Sequence, residues 1–262
     1  MLGWSINLFR VFGIRLAVHV SFVLLLAYYG WQGWQEHGSR GMIWSTGFIL
    51  LFFTCVILHE LGHALTARRY GVQVPRILLL PIGGMAEFDR IPRRPRAEML
   101  ITIAGPLVNF ALVAALAPFV WREMLGLAAF RDYSATAIAT NLGWANLVMG
   151  LFNLLPVFPM DGGRIFRALL ACRLPYLRAT WWAVAIGRAL ALGLAALAVF
   201  HFENLLVGAL FVFIFLAAGM EYEMVRRKEQ EAAYWAEIAK RIAAQSGQDP
   251  ESPPPLVFHG RN

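Results

Sequence analysis

The stretch "FILLFFTCVILHELGHALTARRYG" (residues 48–71) decides how this chain is read. Its first half is unbroken apolar sequence of the kind that forms a membrane helix, and a spanning helix needs about 20 such residues. Yet His59, Glu60 and His63 arrive before the apolar run has ended. A charge at mid-membrane costs about 2.5 kcal/mol or more, so ionisable side chains placed there mark a functional site. Positions 59 and 63 are one helical turn apart on one face. Two imidazoles so placed can reach one zinc ion, and Glu60 beside them can take a proton from a metal-activated water.

The rest of the chain fits a membrane setting. Of its 262 residues, 59% are hydrophobic and 15% charged, against roughly 25% charged in a soluble domain. Apolar runs long enough to span lie at roughly 16–35, 41–66, 98–121, 136–158, 179–201 and 204–221. The connectors sort by charge. Nineteen of 23 basic residues fall on one side, three (Arg40, Arg122 and Arg131) on the other, and Arg188 inside the fifth span. Basic loops stay cytoplasmic. The expectation is an all-α polytopic protein of the cell membrane, multi-pass, with both termini cytoplasmic. The net charge of +7 is then topological and implies no nucleic-acid partner. Arg188 reads as a snorkelling or packed structural residue. Cys55 and Cys172 imply no disulfide framework. The N-terminus lacks the small-residue cleavage site of a signal peptide and is read as retained.

A catalytic zinc usually has three protein ligands and one open position. Among the 16 acidic residues, only Glu60 and Asp161 sit within or at the end of a span in an apolar setting. Spans two and four run in the same direction, so His59, His63 and Asp161 reach a similar depth. Asp161 is the best candidate for the third ligand. His19, at the start of span one on the same side, is the rival, although a lone histidine there more often packs or hydrogen-bonds. Around Asp161 the sequence is "FNLLPVFPMDGGRIFRALL" (152–170). Pro156 and Pro159 prevent a continuous helix. Non-helical backbone at membrane depth is tolerated only where it lines a buried or watered cavity, which hydrolysis would need.

At these residues the sequence resembles the site-2 protease family of intramembrane zinc metalloproteases. The resemblance is carried by "HELGH" (59–63), "PIGGMAEF" (81–88), "AGPLVNF" (104–110) and "NLLPVFPMDGGR" (153–164), in the family's order. It implies one Zn2+ per chain on His59, His63 and Asp161, with Glu60 as catalytic base. It implies that Asn153 holds the substrate carbonyl or oxyanion and that Asn109 serves helix packing and substrate contact. The segment "VPRILLLPIGGMAEF" (74–88) looks like the family's membrane-associated β-hairpin. Its apolar residues around Gly83 and Gly84 fit a short hairpin. An exposed edge at Gly83, Gly84, Met85 and Ala86 could add a substrate strand.

The expected organisation is a six-span metalloprotease domain over 1–221, then a charged cytoplasmic helix and a disordered tail over 222–262. About forty residues after span six are too few for the paired CBS nucleotide-binding modules that many relatives carry. No PDZ module fits between the spans. The function so implied is an intramembrane endopeptidase acting on membrane-spanning protein substrates in regulated intramembrane proteolysis. Two rivals stand beside it. A zinc-binding protein without protease activity would not need Glu60. A metal transporter would need polar residues spaced along the spans, where this chain has one cluster and Arg188.

Overall fold

The computed structural model describes residues 4–89, 93–126 and 134–246. The elements run β1 (Ser5–Val11), β2 (Ile14–His19), α1 (Val20–Arg69), β3 (Arg76–Leu80), β4 (Gly83–Glu87), α2 (Pro95–Gly126), α3 (Ala135–Asn153), α4 (Asp161–Ala171), α5 (Tyr176–Phe200) and α6 (Leu205–Ser246). The disordered tail expected after the C-terminal helix lies outside the described residues.

Among the described residues five helices, α1, α2, α3, α5 and α6, are long and apolar enough to cross a membrane, and α1 supplies two crossings. Its helical geometry breaks at His37 (φ −143°) and Gly38 (φ +61°). Past that break the second leg returns along the first. Gly33 and Gly41 approach so closely that a Cβ on Gly33 would lie 2.4 Å from the Gly41 carbonyl oxygen. Further along, the Phe22 and Phe53 rings meet edge to face at 4.6 Å. Spans one and two are therefore a helical hairpin turning at the short polar segment 36–40.

The first crossing starts later than the sequence suggests. Residues from about 16 were expected to open span one, but Ile14–His19 is a strand. Val11 pairs with Ile14 across the two-residue loop Phe12–Gly13, where both residues have positive φ. That is the conformation of the favoured tight hairpin turn. The apolar strand β2 is buried (Ile14, Leu16 and Ala17 are within 1% of fully covered) by pairing in parallel with β3. The expected hairpin, β3 with β4, is thus half of a four-stranded sheet of order β1-β2-β3-β4. In it β4 is an end strand. His19 closes β2 and accepts a hydrogen bond from Ser21 N–H at 3.2 Å as the N-cap of α1, which is a structural task.

The fourth span also ends early. α3 stops at Asn153, and 154–160 is irregular before α4 begins at Asp161. Pro156 and Pro159 account for the break, since neither has an N–H for a helical bond. The charged C-terminal segment continues α6 without interruption to Ser246.

Candidate metal centre

Three elements bring the donors together. The second leg of α1 carries His59 and His63, both buried. α4 presents Asp161 from its first residue. The α4 start packs directly on the irregular segment: a Cβ on Gly162 would come 2.2 Å from the Leu155 carbonyl oxygen. The Gly162-Gly163 pair is thus a close-approach requirement, and it fixes where Asp161 points. α2 forms the third wall. Gly105 faces the imidazoles, and a Cβ there would lie 2.2 Å from His63 Nε2.

The hydrogen bonds define the tautomers. His63 Nδ1 donates to the Ile101 carbonyl at 2.8 Å. For His59 a relay sets the direction. Asn146 Nδ2 donates to the Leu142 carbonyl at 2.8 Å, and Asn109 Nδ2 donates to Asn146 Oδ1 at 2.9 Å. Asn109 Oδ1 therefore faces His59 Nδ1 at 2.5 Å and accepts its proton. With both Nδ1 atoms protonated, a neutral imidazole carries a lone pair on Nε2. The two Nε2 atoms are 3.1 Å apart. They lie 3.4 Å and 3.2 Å from Asp161 Oδ2, which is buried without a hydrogen-bond donor. Three electron-pair donors thus converge with no proton between them. All three atoms lie within 4.8 Å of one another. Two nitrogens and one carboxylate oxygen are a zinc donor set, and second partners on each imidazole are what metal-binding histidines require.

Beside the donors is a cavity of about 210 Å³, lined among others by Glu60, Met85, Ala86, Asn153 and Arg164. Glu60 Oε2 accepts a hydrogen bond from Ala86 N–H at 3.1 Å, which ties the glutamate to the edge of β4. Asn153 lines the cavity and donates one amide hydrogen to the Met149 carbonyl at 3.0 Å. Asn109, for which packing and substrate contact were expected, is completely buried and engaged with His59. Asn146 and the Ile101 carbonyl were not singled out in the sequence, while Gly105 and Arg164 lay inside the motifs quoted for the resemblance without a role of their own.

α4 is anchored by charge. Arg167, fully buried, donates through Nε to Glu98 of α2 at 2.9 Å and through Nη1 to Glu221 of α6 at 2.8 Å.

The model of peptidase family M50 matches residues 47–124 and 123–194. A zinc metalloprotease of Methanocaldococcus jannaschii is 38% identical over 226 residues, 86% of this chain and 62% of that protein. A putative zinc metalloprotease of Synechocystis is 32% identical over 256 residues, 90% of this chain and 64% of that one. The chain therefore spans less than two thirds of these relatives' length. The solved structure of the site-2 protease from Methanocaldococcus jannaschii superimposes with a TM-score of 0.56 at 36% identity. It covers 84% of this chain and 95% of that one. Identity above 30% over most of the chain and a shared membrane-embedded fold lead to one conclusion: the chain belongs to peptidase family M50, the site-2 protease family.

Proposed function

We propose that this chain is an intramembrane zinc endopeptidase that hydrolyses peptide bonds of membrane-embedded protein substrates, in regulated intramembrane proteolysis. The observation that carries the reading is the placement of Glu60. It lines the same cavity as the three converging donors, where zinc storage or transport would have no use for a base.

In this reading His59, His63 and Asp161 hold one zinc ion, which when bound acidifies water and polarises a carbonyl as a Lewis acid. Glu60 takes the proton of the attacking water and later gives it to the leaving amine. Asn153 keeps a second amide hydrogen that can be directed at the developing oxyanion. Substrate backbone pairs with the edge of β4 at Gly84 and Ala86, where the Ala86 N–H exchanges its bond to Glu60 for one to the substrate. A substrate helix must unwind first, because its amides are otherwise held in helical hydrogen bonds. The basic side of the fold, with both termini and the C-terminal part of α6, faces the cytoplasm. Labelling of single cysteines placed at Glu123 and Gln230 tests this orientation, and outside accessibility of position 230 would refute it.

The deciding experiment compares membrane proteomes of cells carrying Glu60→Gln and wild type. Single-span precursors should accumulate in the variant, and purified Glu60→Gln should keep its zinc while losing peptide hydrolysis by several orders of magnitude. Undiminished cleavage by Glu60→Gln would remove it as the base.

A further inference from the structure

Arg188 is the one cation that the charge pattern leaves inside a span. It stands 12 residues into α5 from Tyr176, about 18 Å along the helix. An ionisable group inside a span pairs with a partner or marks a site. Arg167 shows the paired case, with two carboxylates. Arg188 differs. Its guanidinium lies on the Phe215 ring, Cζ 3.9 Å from the centroid. It passes over Gly219, where a Cβ would come 3.6 Å from Nη1. Its Nε is buried with no hydrogen-bond acceptor, and no ion pair joins it to a carboxylate among the described residues.

The same side chain lines a groove of about 1030 Å³ between α5 and α6, which shares no lining residue with the cavity at the metal centre. The groove has two halves. Val184, Leu216 and Met220 form an apolar wall, while Arg227 and Lys228 stand at its other end. The sequence of α6 says where the boundary falls: it is apolar through Met220 and charged from Glu221. Trp181, also in the lining, suits a membrane–water interface. The groove thus straddles the edge of the hydrocarbon on the basic side. Three cations meet two carboxylates in it, Glu223 and Glu231, and Glu223 also pairs with Arg226 at 3.4 Å.

We infer that this groove binds an anionic phospholipid. An acyl chain lies against Val184, Leu216 and Met220. The phosphate sits between Arg188 below and Arg227 and Lys228 above, supplying the anion that Arg188 otherwise lacks. A net-negative headgroup is favoured over a zwitterionic one because the groove carries an excess of positive charge, and each nearby cation adds electrostatic attraction.

The test uses the purified, delipidated full chain in neutral detergent, titrated with phosphatidylglycerol or phosphatidylcholine and read by native mass spectrometry. Phosphatidylglycerol should bind about fivefold or more tightly than phosphatidylcholine, on the order of one cation's contribution at a membrane surface. Arg188→Gln should abolish that preference. Arg227→Gln with Lys228→Gln, both at exposed positions, should weaken phosphatidylglycerol binding several-fold. Lys240→Gln with Arg241→Gln, on the same helix beyond the groove, should change nothing. Inorganic phosphate at millimolar concentration should not displace the lipid. Equal binding of the two lipids overturns the inference, as does full preference in both groove variants. Equal loss in the Lys240/Arg241 control, displacement by phosphate alone, or a chain dimer that excludes lipid would also overturn it.

Discussion

Asn109 Oδ1 lies 2.5 Å from His59 Nδ1, and the two residues, 50 apart in sequence, come from different membrane helices. The contact matters because Asn109 is itself held by Asn146, so its oxygen cannot exchange places with its nitrogen without breaking the relay. The direction of the amide decides which nitrogen of His59 faces Asp161 unprotonated.

Asn109→Ala should therefore lower zinc affinity by about 10–100-fold, the usual consequence of losing such a partner. Asn109→Asp keeps an acceptor and should recover much of the loss. Competition with a chromogenic chelator measures both. Unchanged affinity in Asn109→Ala would mean that the tautomer is set by something else.

Gly105→Ala should be more severe than its single methyl suggests. The added Cβ would lie within 2.2 Å of His63 Nε2, a separation no relaxed contact permits. Either α2 moves away, taking the Ile101 carbonyl from His63, or His63 rotates out of the cluster. Both outcomes remove zinc, so metal analysis of the purified variant should show substoichiometric zinc with helix content by circular dichroism preserved. Full zinc occupancy would contradict the close packing of α2 on the donors.

Arg167→Met should destabilise the fold by about 3–5 kcal/mol, because it leaves Glu98 buried without its cation. The double variant Glu98→Leu with Arg167→Met should recover most of that, since an apolar pair can replace a buried ion pair at little cost. Thermal unfolding in detergent distinguishes them. A single variant as stable as wild type would show that α4 is held by other contacts.

The sequence made the donor set legible for a reason of period. His59 and His63 are four apart on a helix, and the sequence placed Asp161 in an apolar setting at matching depth; Glu98, set aside as lying at a polar span end, is buried too, but as the partner of Arg167. Of the partners that orient those donors, Asn109 and Gly105 were marked only by the resemblance and with another role, and Asn146 and Ile101 not at all, because what they do depends on how α2 lies against α1 and α3. The turn between spans one and two was marked by a polar interruption. The strand β2 was hidden because "IRLAV" (14–18) is continuous with the apolar run of span one. Burial on both faces of a sheet erases the alternation that would have separated them. The Phe12-Gly13 pair was the remaining signal.

The β-hairpin supplies the last prediction, and the register sharpens it. Neighbouring residues of a strand direct their backbone groups to opposite edges. Met85 pairs with Leu78 and Ala86 with Ile77, while Ala86 N–H is directed away from β3 to Glu60 Oε2. The outward donors of β4 are thus those of Gly84 and Ala86, and the Met85 N–H points inward to β3. Proline at the two positions removes different things. Ala86→Pro takes a donor from the edge and with it the bond that holds Glu60, and should slow cleavage of a membrane-embedded substrate at least tenfold while zinc is retained. Met85→Pro breaks the β3–β4 ladder and should loosen the hairpin, raising its proteolytic sensitivity as well as slowing cleavage. Substrates with Gly or Pro near the scissile bond should be cut faster by the wild-type chain, since Gly costs a helix about 1 kcal/mol and Pro about 3 kcal/mol relative to Ala. Cleavage assays on a paired set of helical and helix-broken substrates, with zinc content measured in parallel, decide the matter. Normal cleavage by Ala86→Pro, or equal rates on both substrate types, would exclude strand addition at β4 as the mode of substrate handling.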